Sequence, residues 1–130
     1  MKLALSKTPG QLQAAALAAA RAHFYGLAAT GFTWNGKLFQ VDAVSQTHIA
    51  AAASITPWPA DFAWIATDNS SVPMTAVQFA AFAAAVAAHI SGCALRFRAI
   101  KDTITTITDE ASYQAIDVTA GYPPASGTGE

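Results

Sequence analysis

Large apolar residues in the second half of the chain recur at the spacing of an amphipathic helix. From Phe79 to Ile107 they follow one another in steps of three or four residues, which predicts one long helix with a single apolar face. From Ile90 onwards these steps alternate strictly, as at the a and d positions of a helix that packs along another helix. We predict a seam on this face, formed by Ile90, Cys93, Phe97, Ile100 and Ile104. Its partner helix lies in the same chain or in a neighbouring copy, so the seam is a candidate oligomer contact.

The beginning of the chain carries a clear helix signal. Thr8 can cap a helix that starts at Pro9, and Gln11 completes a capping box. Gly31 is placed to end this helix in a left-handed conformation, so we predict a helix from Pro9 towards Thr30. Its inner face is predicted to comprise Leu12, Ala16, Ala19, His23 and Leu27, with Phe24 beside them.

Two short apolar runs around Asn35-Gly36 predict a β-hairpin. The Asn-Gly pair tolerates the positive φ angles of a type I′ turn. A two-residue turn pairs Trp34 with Lys37 and Phe32 with Phe39, which places the three aromatic rings on one face of the hairpin. We expect that face to cover a helix, and a patch that binds a sugar or a receptor is the alternative.

Further turn signals divide the middle and the end of the chain. A second helix is predicted after Asp42, with Ser45 as its cap. Residues 62–67 and 72–74 are predicted to form a second, short hairpin. A short last helix is predicted within residues 108–117.

Together these elements predict an α+β fold, with about three helices, one of them long, packed with two short antiparallel β-hairpins. A chain of 130 residues suits one core, and we place a single domain at residues 9–118. Residues 1–8 are predicted to form an N-terminal arm. Residues 119–130 are small, polar and broken by proline, which predicts a flexible C-terminal tail that orders only if something holds it.

The small number of charged residues and the near-zero net charge limit the kinds of molecule that the protein can bind. Seven basic and eight acidic residues give a formal net charge of -1, which leaves no positive excess for binding nucleic acid. Only 12% of the residues are charged and 53% are hydrophobic, so we expect burial of surface against a protein partner. Residues 70–95 carry no formal charge, but alanine is their commonest residue and the larger apolar side chains lie on one side, so we predict no membrane span.

The reactive side chains form no constellation that indicates a reaction, and we predict that the protein is not an enzyme. His89 and Cys93 lie four residues apart on one helix, but no further ligands follow at the spacing of a metal site, so neither a metal nor a cofactor is predicted. Trp58 stands between two prolines, which can hold an aromatic ring near the surface for a partner contact. A lid over the core is the alternative for Trp58.

Three segments, in their order along the chain, carry a family resemblance. They are GFTWNGKLFQVDAVSQTHI, WIATDNSSVPMTAVQFAAFAAAVAAHI and ALRFRAIKDTITTITDEASYQAID. Together they resemble a family of short bacteriophage proteins and carboxy-terminal domains known only as a domain of unknown function. The likeness runs from about Ala14 to Tyr122, and its matching positions are Trp34, Gly36, Asp42, Ile49, Trp64, Asp68 and Asn69.

Members of that family are associated with tail-fibre and tail-fibre-assembly genes. The resemblance therefore implies a virion structural or attachment protein of the phage tail, in the fibre or the baseplate, that acts through contacts with other tail proteins. It also implies synthesis in the host cytoplasm, and it brings no catalytic residues with it. The sparse charge and the a/d seam agree with a homo-oligomer. A tail-fibre assembly chaperone that is not retained in the virion is the alternative, and a small ligand-binding protein or enzyme is a third.

Overall fold

The computed structural model describes residues 7–129 and has the mixed α+β fold that the sequence predicts. Most of the predicted N-terminal arm lies outside these residues. The helices are α1 (Pro9–Thr30), α2 (Ala43–Ala52), α3 (Ala76–Ile104) and the short α4 (Glu110–Ala115). The strands are β1 (Phe32–Trp34), β2 (Lys37–Phe39), β3 (Ala63–Ile65), β4 (Ser71–Pro73) and β5 (Ser126–Gly127).

The described residues divide into two compact units, each with its own core, where the sequence predicted one core. The first unit comprises the residues up to Tyr25 together with Gly92–Tyr122, and the second comprises Gly26–Ser91 together with the residues from Pro123 onwards. The physical reason is the length of the helices. At about 1.5 Å per residue, the 29 residues of α3 form a helix about 44 Å long, which is more than one small core can cover.

The first unit is built from helices. α1 begins where the capping signal predicts, since the amide of Gln11 donates to Thr8 Oγ1 at 3.2 Å and the amide of Thr8 donates to Gln11 Oε1 at 2.8 Å. Ala20 is buried where the sequence predicted Ala19, because residues four apart, such as Leu12, Ala16 and Ala20, lie on the same face of a helix. The core of this unit consists of Leu12, Ala16, Ala20, Phe97, Ile100, Ile104 and Ile107.

The second unit is built around the predicted hairpin. β1 and β2 pair antiparallel in the predicted register, with Phe32 opposite Phe39 and Trp34 opposite Lys37. The rings of Phe32, Trp34 and Phe39 are buried, and the ring of Phe82 on α3 lies against those of Trp34 and Phe39. The expectation that the aromatic face covers a helix is therefore confirmed. β3 and β4 form the second antiparallel pair, as predicted.

The caps of the other helices follow local chemistry. α2 is capped by Asp42 and not by Ser45, because the carboxylate accepts from the amide of Ser45 at 2.8 Å. The amide and hydroxyl of Ser45 hold the pKa of Asp42 below its ordinary value. α4 is capped by Asp109, whose carboxylate accepts from the amide of Ser112 at 2.8 Å, in agreement with the capping role typical of an acidic residue at a helix start.

Within the tail that the sequence predicts to order only if something holds it, residues 125–129 are held by the hairpin. β5 lies beside β1 in a parallel pair and extends the hairpin to a three-stranded sheet with the order β2-β1-β5. The amide of Thr33 donates to the carbonyl of Ala125 at 2.9 Å. The segment is too poor in apolar side chains to order by itself, and the free backbone groups of β1 supply what holds it.

Candidate interaction surfaces

Most of the predicted seam on α3 is buried within the chain, which agrees with the alternative of a partner helix in the same chain. Phe97, Ile100 and Ile104 are 7%, 2% and 4% exposed and belong to the core of the first unit. Cys93 is buried as well. Ile90 is half-buried and packs against the core of the second unit, so it keeps more accessible surface than the other four.

α1 supplies the surface against which this face of α3 packs in the first unit. The ring of Phe24 stacks on that of Phe97, with centroids 4.3 Å apart and planes inclined by 11°. Leu12 and Ala16 of α1 belong to the same core. An a/d pattern specifies that a helix lies alongside it but not which helix, and here that helix is in the same chain.

The His89 and Cys93 side chains are held in their neutral forms near pH 7. Burial lowers the pKa of the His89 imidazole, and a hydrogen bond with the carbonyl of Pro124 acts in the opposite direction. Burial raises the pKa of the Cys93 thiol. In the part of the chain that the structure describes, no group of three or more His, Cys, Asp and Glu side chains is placed to hold a metal ion.

Trp58 has the lid position that the sequence gave as the alternative to a partner contact. Its indole Nε1 donates to the carbonyl of Met74 at 3.0 Å, and its ring centroid lies 4.1 Å from that of Phe62 and 5.6 Å from that of Phe79. These contacts make it a lid over the core of the second unit. The side chain is only half-buried, and it also lines a shallow pocket of about 260 Å³ together with Pro59 and other residues.

A second pocket in the same unit has a more polar wall. It measures about 260 Å³ and is bounded by β2, α2 and β3. Trp64 and the exposed Ile65 form its apolar side, and Gln40, Ser45 and His48 form its polar side. A half-buried tryptophan beside amide, hydroxyl and imidazole groups can bind a small polar ligand, but the pocket is shallow and open.

The largest of these cavities is an apolar groove between α2 and α3. It measures about 520 Å³. The buried Ile49 and Val86 lie at its base. Its walls are mostly alanine, whose short side chains make the groove shallow. Its lining consists of Gln46, Ile49, Ala50, Ala83, Ala84, Val86, Ala87, Ile90 and Ser91, none of them charged. We call this feature the α2/α3 groove.

Sequence reasoning did not identify the α2/α3 groove, although one signal for it was present. The uncharged stretch of residues 70–95 raises the question of a membrane span, and its high alanine content is the argument against one. α3 is indeed the one helix, among the described residues, that is long and apolar enough to cross a bilayer by length and composition. Core helices pass the same test, and α3 contributes Phe79, Phe82 and Val86 to the core of the second unit.

Comparison with known proteins places the chain in a family and gives no further relatives. Residues 11–120 match the family described as "Domain of unknown function (DUF4376)". No curated protein and no solved structure matches the chain. Because the matched residues span most of its length, the chain belongs to this family of domains of unknown function, DUF4376.

Proposed function

We propose that this protein is a structural or attachment component of a bacteriophage tail, in the fibre or the baseplate, and that it acts through protein contacts and not by catalysis. The phage setting rests on the resemblance carried by the Trp34 hairpin, the Trp64 to Asn69 segment and the long helix. The mode of action rests on the surface of the second unit.

The uncovered apolar side of α3 is the observation that carries this mode of action. Only 28% of the most apolar 18-residue window of this helix is buried. Ala84 and Ala87, which line the α2/α3 groove, are both exposed. An uncharged apolar groove on a small protein is typical of a surface that a partner covers.

The shape of the α2/α3 groove favours a helix as the occupant. Alanine walls allow another helix to approach closely, and the apolar base formed by Ile49 and Val86 would receive its larger side chains. A groove without charged groups selects an apolar face of the partner, since a charged side chain would lose its hydration without gaining a counter-ion. The proposed partner is therefore another tail protein that presents an apolar helix.

Mass spectrometry of purified phage particles tests the structural role. We expect this chain in the particles in a fixed ratio to the tail proteins. Absence from particles would overturn the structural role, and a phage that still required the gene for infectivity would then point to an assembly chaperone.

A matched pair of variants tests the surface itself. Ala87 and Ala88 are exposed neighbours on α3, but only Ala87 lines the groove. We expect Ala87→Glu to lower incorporation into particles at least tenfold, and Ala88→Glu to leave it within twofold of the wild type. Equal incorporation of the two variants would exclude the groove as the contact. Flotation of the wild-type chain with lipid vesicles would show instead that a membrane covers α3.

A further inference from the structure

The edge of β1 binds the chain's own segment 125–129 as an added strand. The amides of Thr33 and Asn35 donate to the carbonyls of Ala125 and Gly127 at 2.9 and 3.1 Å. The pairing is parallel and involves two residues of each strand. Backbone hydrogen bonds at a sheet edge are the means by which many domains bind extended peptides.

The side chain of Asn35 continues this pairing beyond the end of β1. Its Nδ2 donates to the carbonyl of Gly129 at 2.9 Å, and its Oδ1 accepts from the amide of the same residue at 2.8 Å. One side-chain amide thus makes the two hydrogen bonds that a peptide unit of a longer strand would make. Asn35 is also the first turn residue of the hairpin, with a φ of 50°. The same residue therefore forms the turn and binds Gly129.

The ring of Trp34 excludes a side chain at Gly129 of the bound segment and crowds one at Gly127. A Cβ on Gly127 would lie 3.0 Å from Cζ3 of Trp34, and a Cβ on Gly129 would overlap Cζ2 of the same ring. The cause is the close approach of the backbone to the indole plane. The site therefore distinguishes Gly-x-Gly from other sequences by size and holds the backbone by hydrogen bonds.

We propose that this edge of β1, with Trp34 and Asn35, is a recognition site for an extended Gly-x-Gly segment, and that it takes segment 125–129 from a second copy of the chain as well as from its own. Each copy carries the segment that the site fits. The hydrogen bonds and ring contacts lie within the hairpin and the segment, so they are the same whichever copy supplies it. Exchange of an identical element between copies is a low-cost route to a dimer.

Two full-length variants separate the site from the segment. Gly129→Val places a side chain against Trp34 and should release the segment, while the site stays intact. Asn35→Asp retains the turn, because Asp-Gly also forms type I′ turns, but it removes the donor to the Gly129 carbonyl. Circular dichroism and tryptophan emission establish that both are folded, and Gly129→Ala, whose Cβ alone overlaps Trp34, takes the place of Gly129→Val if that variant is not.

The first measurement uses a fluorescent peptide of residues 123–129. We expect it to bind the Gly129→Val chain at least tenfold more tightly than the wild type, whose own segment competes for the site. The same peptide with valine in place of its last glycine should bind at least tenfold more weakly. Equal binding of the two peptides, or no binding to the folded Gly129→Val chain, would overturn the proposal.

The second measurement tests exchange between copies. The Asn35→Asp chain has a weakened site and an intact segment, and the Gly129→Val chain has the reverse. We expect sedimentation of an equimolar mixture to reveal a species of twice the 13.4 kDa chain mass that neither variant forms alone. A mixture that sediments as single chains would overturn exchange.

Discussion

The two cores of this protein differ in chemistry although the same long helix serves both. In the first unit α3 contributes Phe97 and isoleucines that pack with small and aliphatic residues of α1. In the second unit it contributes Phe82, which packs with the aromatic face of the first hairpin, and Phe79, which packs with the rings of Phe62 and Trp64. A helical stripe of large residues therefore defines a buried face, while the element packed against it decides what kind of core forms.

The distribution of chromophores makes this difference measurable. The three tryptophans all lie in the second unit, and the three tyrosines all lie in the first. Tryptophan emission therefore reports unfolding of the aromatic core, and tyrosine absorbance reports unfolding of the helical core. Each of the following changes can be assigned to a unit by these two signals.

Truncating Phe82 should have the largest effect. Its side chain is 0% exposed, and its ring centroid lies 4.9 Å from that of Phe39 and 6.0 Å from that of Trp34. We expect Phe82→Ala to lower the free energy of unfolding by about 3–5 kcal/mol, because it leaves a cavity among rings. Urea titration with tryptophan emission measures the loss. The control is Leu38→Ala, at a residue that is 41% exposed on the hairpin against which Phe82 packs. If Phe82→Ala lowers the free energy of unfolding no more than Leu38→Ala does, the prediction is wrong.

Truncating Ile100 should have the next largest effect, in the other core. Ile100 is 2% exposed, and we expect Ile100→Ala to cost about 2–4 kcal/mol in the transition followed by tyrosine absorbance. Leu95→Ala is the control, since Leu95 lies on the same helix and is 70% exposed. If Ile100→Ala costs no more than Leu95→Ala, the seam residue is not part of a core. A tryptophan-detected midpoint that moves with the tyrosine signal would mean that the two cores unfold together.

A smaller effect is expected at the lid of the aromatic core. Trp58→Phe keeps a ring beside Phe62 but removes the donor to the Met74 carbonyl, so it should cost about 1 kcal/mol. Urea unfolding followed by the emission of the remaining tryptophans measures this. Trp64→Phe is the matched control, because the indole of Trp64 has no hydrogen-bond acceptor among residues 7–129. Equal losses in the two variants would show that the hydrogen bond contributes nothing.

The smallest effect on stability that we expect is a pH dependence caused by His89. Because burial lowers its pKa in the folded protein, the unfolded chain binds the proton more readily. Stability is therefore complete above the unfolded pKa of about 6.5 and falls as the pH drops below it. Urea titrations between pH 8 and pH 5 should show this fall in the wild type and a flatter profile in His89→Gln. Parallel profiles would assign the dependence to another group.

Local signals predicted the elements with little error. The capping residues Thr8 and Gln11, the turn pair Asn35-Gly36 and the left-handed Gly31 each depend on groups within a few residues of one another, and each is present as expected. The one misplaced cap, Ser45 for Asp42, involves two residues three apart that can both serve. Caps and turns can be predicted from the local sequence because their side chains form hydrogen bonds with backbone groups only a few residues away.

The sequence by itself thus determined the helices, the hairpins and which faces they bury, because periodicity and turn chemistry act over short distances. Only the tertiary structure decided that the seam of Phe97, Ile100 and Ile104 belongs to an internal core, because an a/d pattern does not identify its partner. It also decided that Ser126 and Gly127 form a strand, because a segment poor in apolar side chains is ordered by its contacts with the backbone of β1 and with Trp34 and Asn35. The α2/α3 groove arises in the same way, since its alanines border a cavity only where α2 lies beside α3.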